Sequence, residues 1–330
     1  MLIDGYGREV SYLRLSVTDR CNLNCFYCRS AENMPFIPHE EILSYEEMII
    51  LAKAAQALSV EKIRLTGGEP FARRDFLAFL GMLREECPGL DVRITTNATL
   101  LGGKVAAAKH LGIRRINISM DTMDPVKFHE VTGRDMLDRV LAAIEECLHY
   151  GIKVKINVVA MKGINDMELP EFLRLAKDNP LDVRFIEFMP IGSCTRWDGD
   201  YTWKAAEIIE QASHYVRLTP LDRTDRTGGP ARLYSIEGGK GRIGVISPMS
   251  NHFCKSCNRL RVTSNGKLRT CLFSDREYKL RQALRNPKLG IDAVVRIMHR
   301  ALRSKPMGYE LLEMRKRAQV CDKGMSSIGG

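Results

Sequence analysis

Between residues 60 and 190 the chain alternates short β-rich segments with helical ones. The β-rich segments are Lys62-Ile63-Arg64-Leu65, Val92-Arg93-Ile94-Thr95, Ile116-Asn117-Ile118-Ser119, Ile152 to Val159 and Val183 to Phe188. Between them Leu137, Val140, Leu141, Ile144 and Leu148 recur at helical spacing, as do Met48, Ala52, Ala55 and Leu58 earlier, and these stripes read as core. Such βα repetition implies a parallel sheet with helical crossovers. A first strand from Tyr12 to Val17 and its helix at 44–58 bring the count to roughly six βα units, fewer than the eight of a closed barrel. The expected fold class is α/β, an incomplete (β/α)6 TIM-like barrel. Ligand-binding side chains in such folds gather at the C-terminal ends of strands, and the motifs of this region are expected there.

Near Pro190 the alternation stops. The stretch with Trp197, Trp203, Gly228-Gly229-Pro230 and Gly238-Gly239 reads as irregular structure with short strands, followed by helical stretches to residue 318 and a terminal Gly329-Gly330. The chain is therefore divided into a barrel domain, residues 1–190, and a smaller C-terminal α+β module, residues 191–330.

Composition narrows the class. Of 330 residues, 45% are hydrophobic and 27% charged, which argues against disordered and fibrous chains. The N-terminus lacks the basic and apolar regions of a signal peptide, and no apolar run approaches the ~20 residues of a membrane span. A cytoplasmic protein without membrane attachment is expected, and there the ten cysteines point to metal or redox chemistry more than to disulfides. The formal charge of +10 invites a nucleic-acid partner, but the basic residues are scattered. They read mostly as solvated faces, with a few available to a concave polyphosphate site.

Two cysteine triplets carry the candidate chemistry. Cys21, Cys25 and Cys28 follow the first strand with C-x3-C-x2-C spacing. Three thiolates on one tight loop can hold three irons of a 4Fe-4S cube and leave the fourth open; a zinc site or free cysteines are the plainer readings. Cys254, Cys257 and Cys271 form C-x2-C-x13-C, suited to a second such cluster or to zinc completed by a distant His or Cys. Arg259 and Arg261, at i and i+2, share a face if extended, and guanidinium forks suit phosphate or purine edges. Leu65-Thr66-Gly67-Gly68-Glu69-Pro70 ends the second strand; alone it is an ordinary turn.

Taken together, C-x3-C-x2-C, Gly67-Gly68-Glu69, Thr95-Thr96-Asn97, Lys155-Ile156-Asn157-Val158-Val159, and the run from Cys254 through Arg259, Arg261 and Asn265-Gly266-Lys267-Leu268-Arg269 to Cys271 resemble the GTP 3′,8-cyclase family of the radical S-adenosylmethionine superfamily. The resemblance extends over nearly the whole chain; Ala98 and Met120 stand where the family usually has glycine and leucine. It implies two 4Fe-4S clusters, one on each triplet, with S-adenosylmethionine contacted by Tyr27, Gly68, Ser119 and Met189. GTP would be held by Arg14, Arg64, Thr95, Lys155, Arg259 and Arg261; five of these six are cationic, which suits a triphosphate.

In that family, reductive cleavage of S-adenosylmethionine yields a 5′-deoxyadenosyl radical that takes the C3′ hydrogen of GTP, and C3′ then bonds to C8. The second cluster anchors guanine, and a C-terminal double glycine, here Gly329 and Gly330, reaches the active site. The implied partners are a flavodoxin- or ferredoxin-type electron donor and a downstream cyclic pyranopterin monophosphate synthase, with no nucleic acid; a homodimer is compatible, and nothing in the sequence sets the oligomeric state. The competing readings are a radical enzyme acting on a peptide and a non-catalytic zinc or iron-sulfur protein that binds nucleic acid. Cys87, Cys147, Cys194 and Cys321 follow no ligand spacing and read as structural.

Overall fold

The computed structural model describes residues 1–28, 36–191, 201–222, 229–314, 321 and 325–328. Six strands, β1 (Tyr12–Ser16), β2 (Lys62–Thr66), β3 (Asp91–Thr96), β4 (Arg115–Ser119), β5 (Lys153–Ala160) and β6 (Asp182–Glu187), lie side by side in chain order and pair in parallel. Between them run helices α1 (Tyr45–Ala57), α2 (Phe76–Glu86), α3 (Val105–His110), α4 (Pro125–Thr132), α5 (Leu137–His149) and α6 (Leu169–Asp178). Helix α1 begins on a capping box, with Ser44 accepting from the Glu47 amide and the Glu47 carboxylate accepting from that of Ser44, which satisfies two amides the first turn cannot. Its buried positions include Met48, Ala52 and Ala55, as the periodicity implies.

The sheet does not stop at the sixth strand. Beyond β6 come α7 (Ala205–Ser213), β7 (Leu218–Leu221), β8 (Arg232–Ile236), β9 (Arg242–Ile246), β10 (Arg259–Val262), β11 (Lys267–Arg269) and β12 (Tyr278–Lys279). Strand β9 pairs in parallel with β6, and β10 in parallel with β1. The described strands thus form one twelve-stranded sheet in the order β12-β11-β10-β1-β2-β3-β4-β5-β6-β9-β8-β7, antiparallel at both margins. Helix α7 lies in the stretch expected to be irregular; Ala205, Ile208 and Ala212 form its buried stripe and the indole of Trp203 is buried at its start. Helices α8 (Arg281–Arg285), α9 (Gly290–Leu302), α10 (Gly308–Met314) and α11 (Met325–Ile328) complete the described chain.

Buried parallel strands usually read as near-continuous apolar runs. Here every central strand alternates instead. Leu13, Leu15, Ile63, Leu65, Ile94, Ile116, Ile118, Val154, Ile156, Val183, Phe185, Ile243, Val245, Leu260 and Val262 point to the helical side and form the main core. On the other face, by the two-residue period, stand Tyr12, Arg14, Lys62, Arg64, Arg93, Asn117, Lys155, Asn157, Arg184, Arg259 and Arg261. One face is packed as protein interior and the other is polar, which a sheet curled round a ligand space requires.

Candidate functional site

The first triplet sits on the loop leaving β1, clamped from two sides. The Gly68 amide donates to the Thr18 carbonyl (2.7 Å) and the Glu69 amide to that of Arg20 (2.8 Å). A Cβ on Gly67 would meet the Thr18 carbonyl oxygen at 2.2 Å, and one on Gly68 that of Arg20 at 2.1 Å. These glycines are needed because the cysteine loop crosses directly over them. Across the loop, the Asn24 and Phe26 amides donate to the Thr132 and Val131 carbonyls at the end of α4.

Glu69 is fully buried and accepts from the Phe71 amide (2.9 Å), the Thr96 hydroxyl (2.7 Å) and the Asn97 amide (2.7 Å). Asn97 in turn donates to Cys21 Sγ (3.6 Å) and Asn22 Oδ1 (3.1 Å). Cys21 Sγ also accepts from the Leu23 amide (3.4 Å). Burial raises the thiol of Cys25, and neighbouring Cys28, Asp121 and Cys21 raise it further, a cost that bound iron would relieve by taking the thiolate charge.

Among the described residues no three His, Cys, Asp or Glu side chains converge tightly enough for a single metal ion; a four-iron cube sets its thiolates farther apart than one zinc does. Tyr27 donates to Asp121 (2.5 Å), whose other oxygen accepts from the Val159 amide (2.8 Å). Ser119 ends β4, and Met189, like Cys271, packs partly buried against a separate small apolar cluster of Ile191, Met249, Phe273, Leu312, Cys321 and Ile328.

The second triplet brackets β10 and β11. Cys257 lies two residues before Arg259, which pairs with Tyr12 at the start of β1, whereas Cys21 lies beyond the end of β1. The triplets therefore lie toward opposite ends of a five-residue strand, a length on the order of 15 Å. Burial raises the Cys257 thiol, but Arg259 and Lys305 outweigh it and bring it down to about 6. Arg259 also stacks over Phe253.

Between the triplets lies a wall of cations. Strand register puts Arg261, Arg14, Arg64 and Arg93 abreast on β10, β1, β2 and β3, and Thr95, Asn117, Lys155, Asp182 and Arg242 abreast on β3, β4, β5, β6 and β9. The residues expected to bind GTP at strand ends stand mostly within the strands, because it is the inward period, more than the terminus, that presents them.

Arg64 donates to the Tyr12 hydroxyl (2.5 Å) and to Thr95 Oγ1 (3.3 Å). Burial raises Tyr12, but Arg64, Arg14 and Lys62 prevail and lower its phenol to about 7. Burial, with Arg184 next, lowers Lys155 to about 7; burial, then Arg14 and Arg259, lowers Arg261 well below the ordinary guanidinium value. Asp182 answers three of these cations: Lys155 (3.6 Å), Arg184 (2.8 Å) and Arg242 (2.7 Å). Arg93, Arg115, Lys155, Arg184 and Arg259 line a cavity of about 970 Å³.

A minority of the basic residues is thus gathered on one inner face, the few expected at a concave polyphosphate site, while others such as Arg74, Lys109, Arg139, Lys177 and Arg300 are exposed. Arg14 Nε, Arg184 Nε, Asn117 Oδ1 and Asn157 Oδ1 are buried on this face and have no hydrogen-bond partner among the described residues. Buried polar atoms of this kind are completed by water, an ion or a ligand. Tyr12, Asn117, Asn157 and Arg184 were not among the candidates from sequence, although the strict alternation in their strands marks them.

Two further expectations concern the chain's end and its spare thiols. Gly329, Gly330 and Cys194 lie outside the described residues, but Ile328 is buried in the small cluster beside Cys271. Cys87, Cys147 and Cys321 are buried.

The radical SAM superfamily model matches residues 15–176, and that for Molybdenum Cofactor Synthesis C matches residues 181–311. A GTP 3′,8-cyclase of Alkaliphilus oremlandii is 40% identical over 328 residues, 99% of each chain, and one of Syntrophomonas wolfei is 41% identical over 94% of this chain and 95% of that one. The chain belongs to the GTP 3′,8-cyclase family. Among solved structures, SuiB of Streptococcus suis bound to S-adenosylmethionine superposes with a TM-score of 0.64 at 16% identity, covering 90% of this chain and 68% of that one. That likeness concerns the fold alone. No described helix is long and apolar enough to cross a membrane.

Proposed function

We propose that this enzyme cyclises GTP to (8S)-3′,8-cyclo-7,8-dihydroguanosine 5′-triphosphate, the first step of molybdenum cofactor biosynthesis. The observation that carries the reading is the cationic inner face, with its unpaired buried donors and acceptors, lying between two cysteine triplets. Cys21, Cys25 and Cys28 would hold a 4Fe-4S cluster with S-adenosylmethionine, which together supply a 5′-deoxyadenosyl radical when bound. Gly68, Tyr27, Ser119 and Met189 are the groups assigned to that cofactor.

Arg14, Arg64, Lys155, Arg259 and Arg261, joined by Arg184, would neutralise the triphosphate, with Thr95 offering a hydroxyl; Asn117 and Asn157 offer acceptors to sugar or base. Each cation already in the wall is there at a cost in mutual repulsion that a polyanion relieves. Held on strands rather than on loops, these groups fix the ribose relative to the first triplet, which is the precision hydrogen abstraction needs.

Cys254, Cys257 and Cys271 would hold a second 4Fe-4S cluster at the other end of β1. The Gly329-Gly330 tail, leaving from the buried Ile328, is assigned to the same space. The chain is read as two modules, 1–190 and 191–330, in a cytoplasmic enzyme supplied by a flavodoxin- or ferredoxin-type donor and feeding cyclic pyranopterin monophosphate synthase.

The test is anaerobic reconstitution with iron and sulfide, followed by reductant, S-adenosylmethionine and GTP, with 5′-deoxyadenosine and the GTP isomer both assayed. The parent should form both. Cys21→Ala should form neither, and Arg259→Ala should keep its iron but lose GTP conversion. 5′-Deoxyadenosine without any GTP conversion by the parent would refute the cyclase reading and redirect the search to peptide substrates.

A further inference from the structure

Lys305 lies between α9 and α10, is 2% exposed, and finds no carboxylate partner among the described residues. Its ammonium donates to Cys257 Sγ (3.6 Å), the Arg259 carbonyl (2.8 Å) and the Thr270 carbonyl (2.6 Å). All three donors are thereby used on two of the three cysteine segments, since Thr270 precedes Cys271. A buried, unpaired ammonium is costly, and the anionic groups positioned to offset it are the thiolates beside it.

The third segment is held by Arg8. Its guanidinium donates to the Cys254 carbonyl (2.7 Å) and to the carbonyls of Lys305 (3.3 Å) and Pro306 (3.2 Å), while its own charge is met by Asp4 (2.6 Å). Gly308 closes the collar: a Cβ there would come within 3.0 Å of Cys271 Sγ and 3.5 Å of Cys254 Sγ. Arg8 clamps backbone and brings no net charge, whereas Lys305 brings an uncompensated one.

We propose that Lys305 is a positioning residue and the built-in counter-charge of the second cluster, orienting the Cys257 thiolate and favouring the more reduced state. Hydrogen bonds and charges just outside the ligands set cluster potentials and ligand order. A unit charge a few ångströms away, at the effective dielectric of a protein interior, is ample for a tenfold effect on the reduction equilibrium. The inference rests on the proposed second cluster, and the experiment separates the two.

The full-length chain carrying Cys21, Cys25 and Cys28→Ala is reconstituted anaerobically, then assayed for iron, sulfide and the midpoint potential by EPR-monitored titration. This background should load one cluster; if it loads none, the reading of the second triplet fails, whatever Lys305 does. Adding Lys305→Gln keeps two donors for the carbonyls and removes the charge. The reduction constant should fall at least about tenfold, which for one electron is about 59 mV more negative, while Lys305→Arg stays near the parent. Failure of Lys305→Gln to load where Lys305→Arg loads also supports the proposal, because the charge is what those two variants do not share. Full loading of Lys305→Gln at an unchanged potential would overturn it, as would loss of loading by both variants.

Discussion

Arg14 offers the sharpest check on the cationic wall. Burial, followed by Arg64 and Arg259, lowers its guanidinium from the ordinary arginine value to about 10, which corresponds to roughly 3 kcal/mol of disfavour for the charged form. Water and ions entering the cavity screen part of this, and replacing Arg14 by methionine also forfeits its interaction with Tyr12, about 1 kcal/mol. Arg14→Met should therefore stabilise the nucleotide-free chain by a net ~1 kcal/mol, raising Tm by roughly 2 °C for a protein of this size.

The same substitution should weaken GTP binding. A parent held at 100 times its Kd in GTP gains about 2.7 kcal/mol, so its nucleotide-induced rise in Tm should be plain and that of Arg14→Met should shrink sharply. Thermal unfolding with and without GTP, at low and at high salt, reads both effects, and salt should erode the variant's advantage. A variant that melts several degrees below the parent without nucleotide, yet keeps the full GTP shift, would refute the claim that this wall is repulsive when empty and binds phosphate when filled.

Substitutions at three other positions probe separate parts of the site. Glu69→Gln leaves an amide N–H facing either the Asn97 amide or the donors of Phe71 and Thr96, and should cost about 2 kcal/mol; urea unfolding would show it, and iron bound at the first triplet should fall because Asn97 reaches Cys21. Lys155, lowered to about 7, is partly neutral above that pH, so KM for GTP should climb between pH 6.5 and 8.5 and the climb should flatten in Lys155→Arg. In the empty protein the unfolded chain holds that proton more tightly, so the contribution of Lys155 to stability rises with pH from about 7 to 10.5; opposite slopes of affinity and stability across this window are the signature sought. Ala98 has φ +63° and is fully buried, so Ala98→Gly should be neutral to about 1 kcal/mol stabilising, whereas Ala98→Val should destabilise by more than 2 kcal/mol in thermal or urea unfolding.

The six βα units and both cysteine spacings were legible because each is local: a strand, its helix and a three-thiol loop are written within ~30 residues. The additions β9 and β10 were not, because nothing near Arg242 or Arg259 indicates that its partner is Asp182 or Tyr12. Helix α7 was missed beside a stretch rich in glycine and tryptophan, although Ala205, Ile208 and Ala212 keep helical spacing. The inner face was half legible. Arg14, Arg64 and Lys155 came from family resemblance, while Asn117, Asn157 and Arg184 needed the alternation of polar and apolar positions to be followed through every strand. Lys305 carries no mark in sequence, since only tertiary burial separates it from a surface lysine.

That β10 lies beside β1 has a bearing on how the protein is made. About 250 residues separate Tyr12 from Arg259, so at 5–20 residues per second the first strand emerges roughly 12–50 s before its outer neighbour exists. Throughout that interval β1 presents an open edge that carries Arg14 on its inner face. A bare, flat, apolar edge would invite pairing with another nascent chain, but Arg14 and its cationic neighbours repel copies of themselves. The wall assigned here to a triphosphate would also protect the newborn sheet until its last parallel strand arrives.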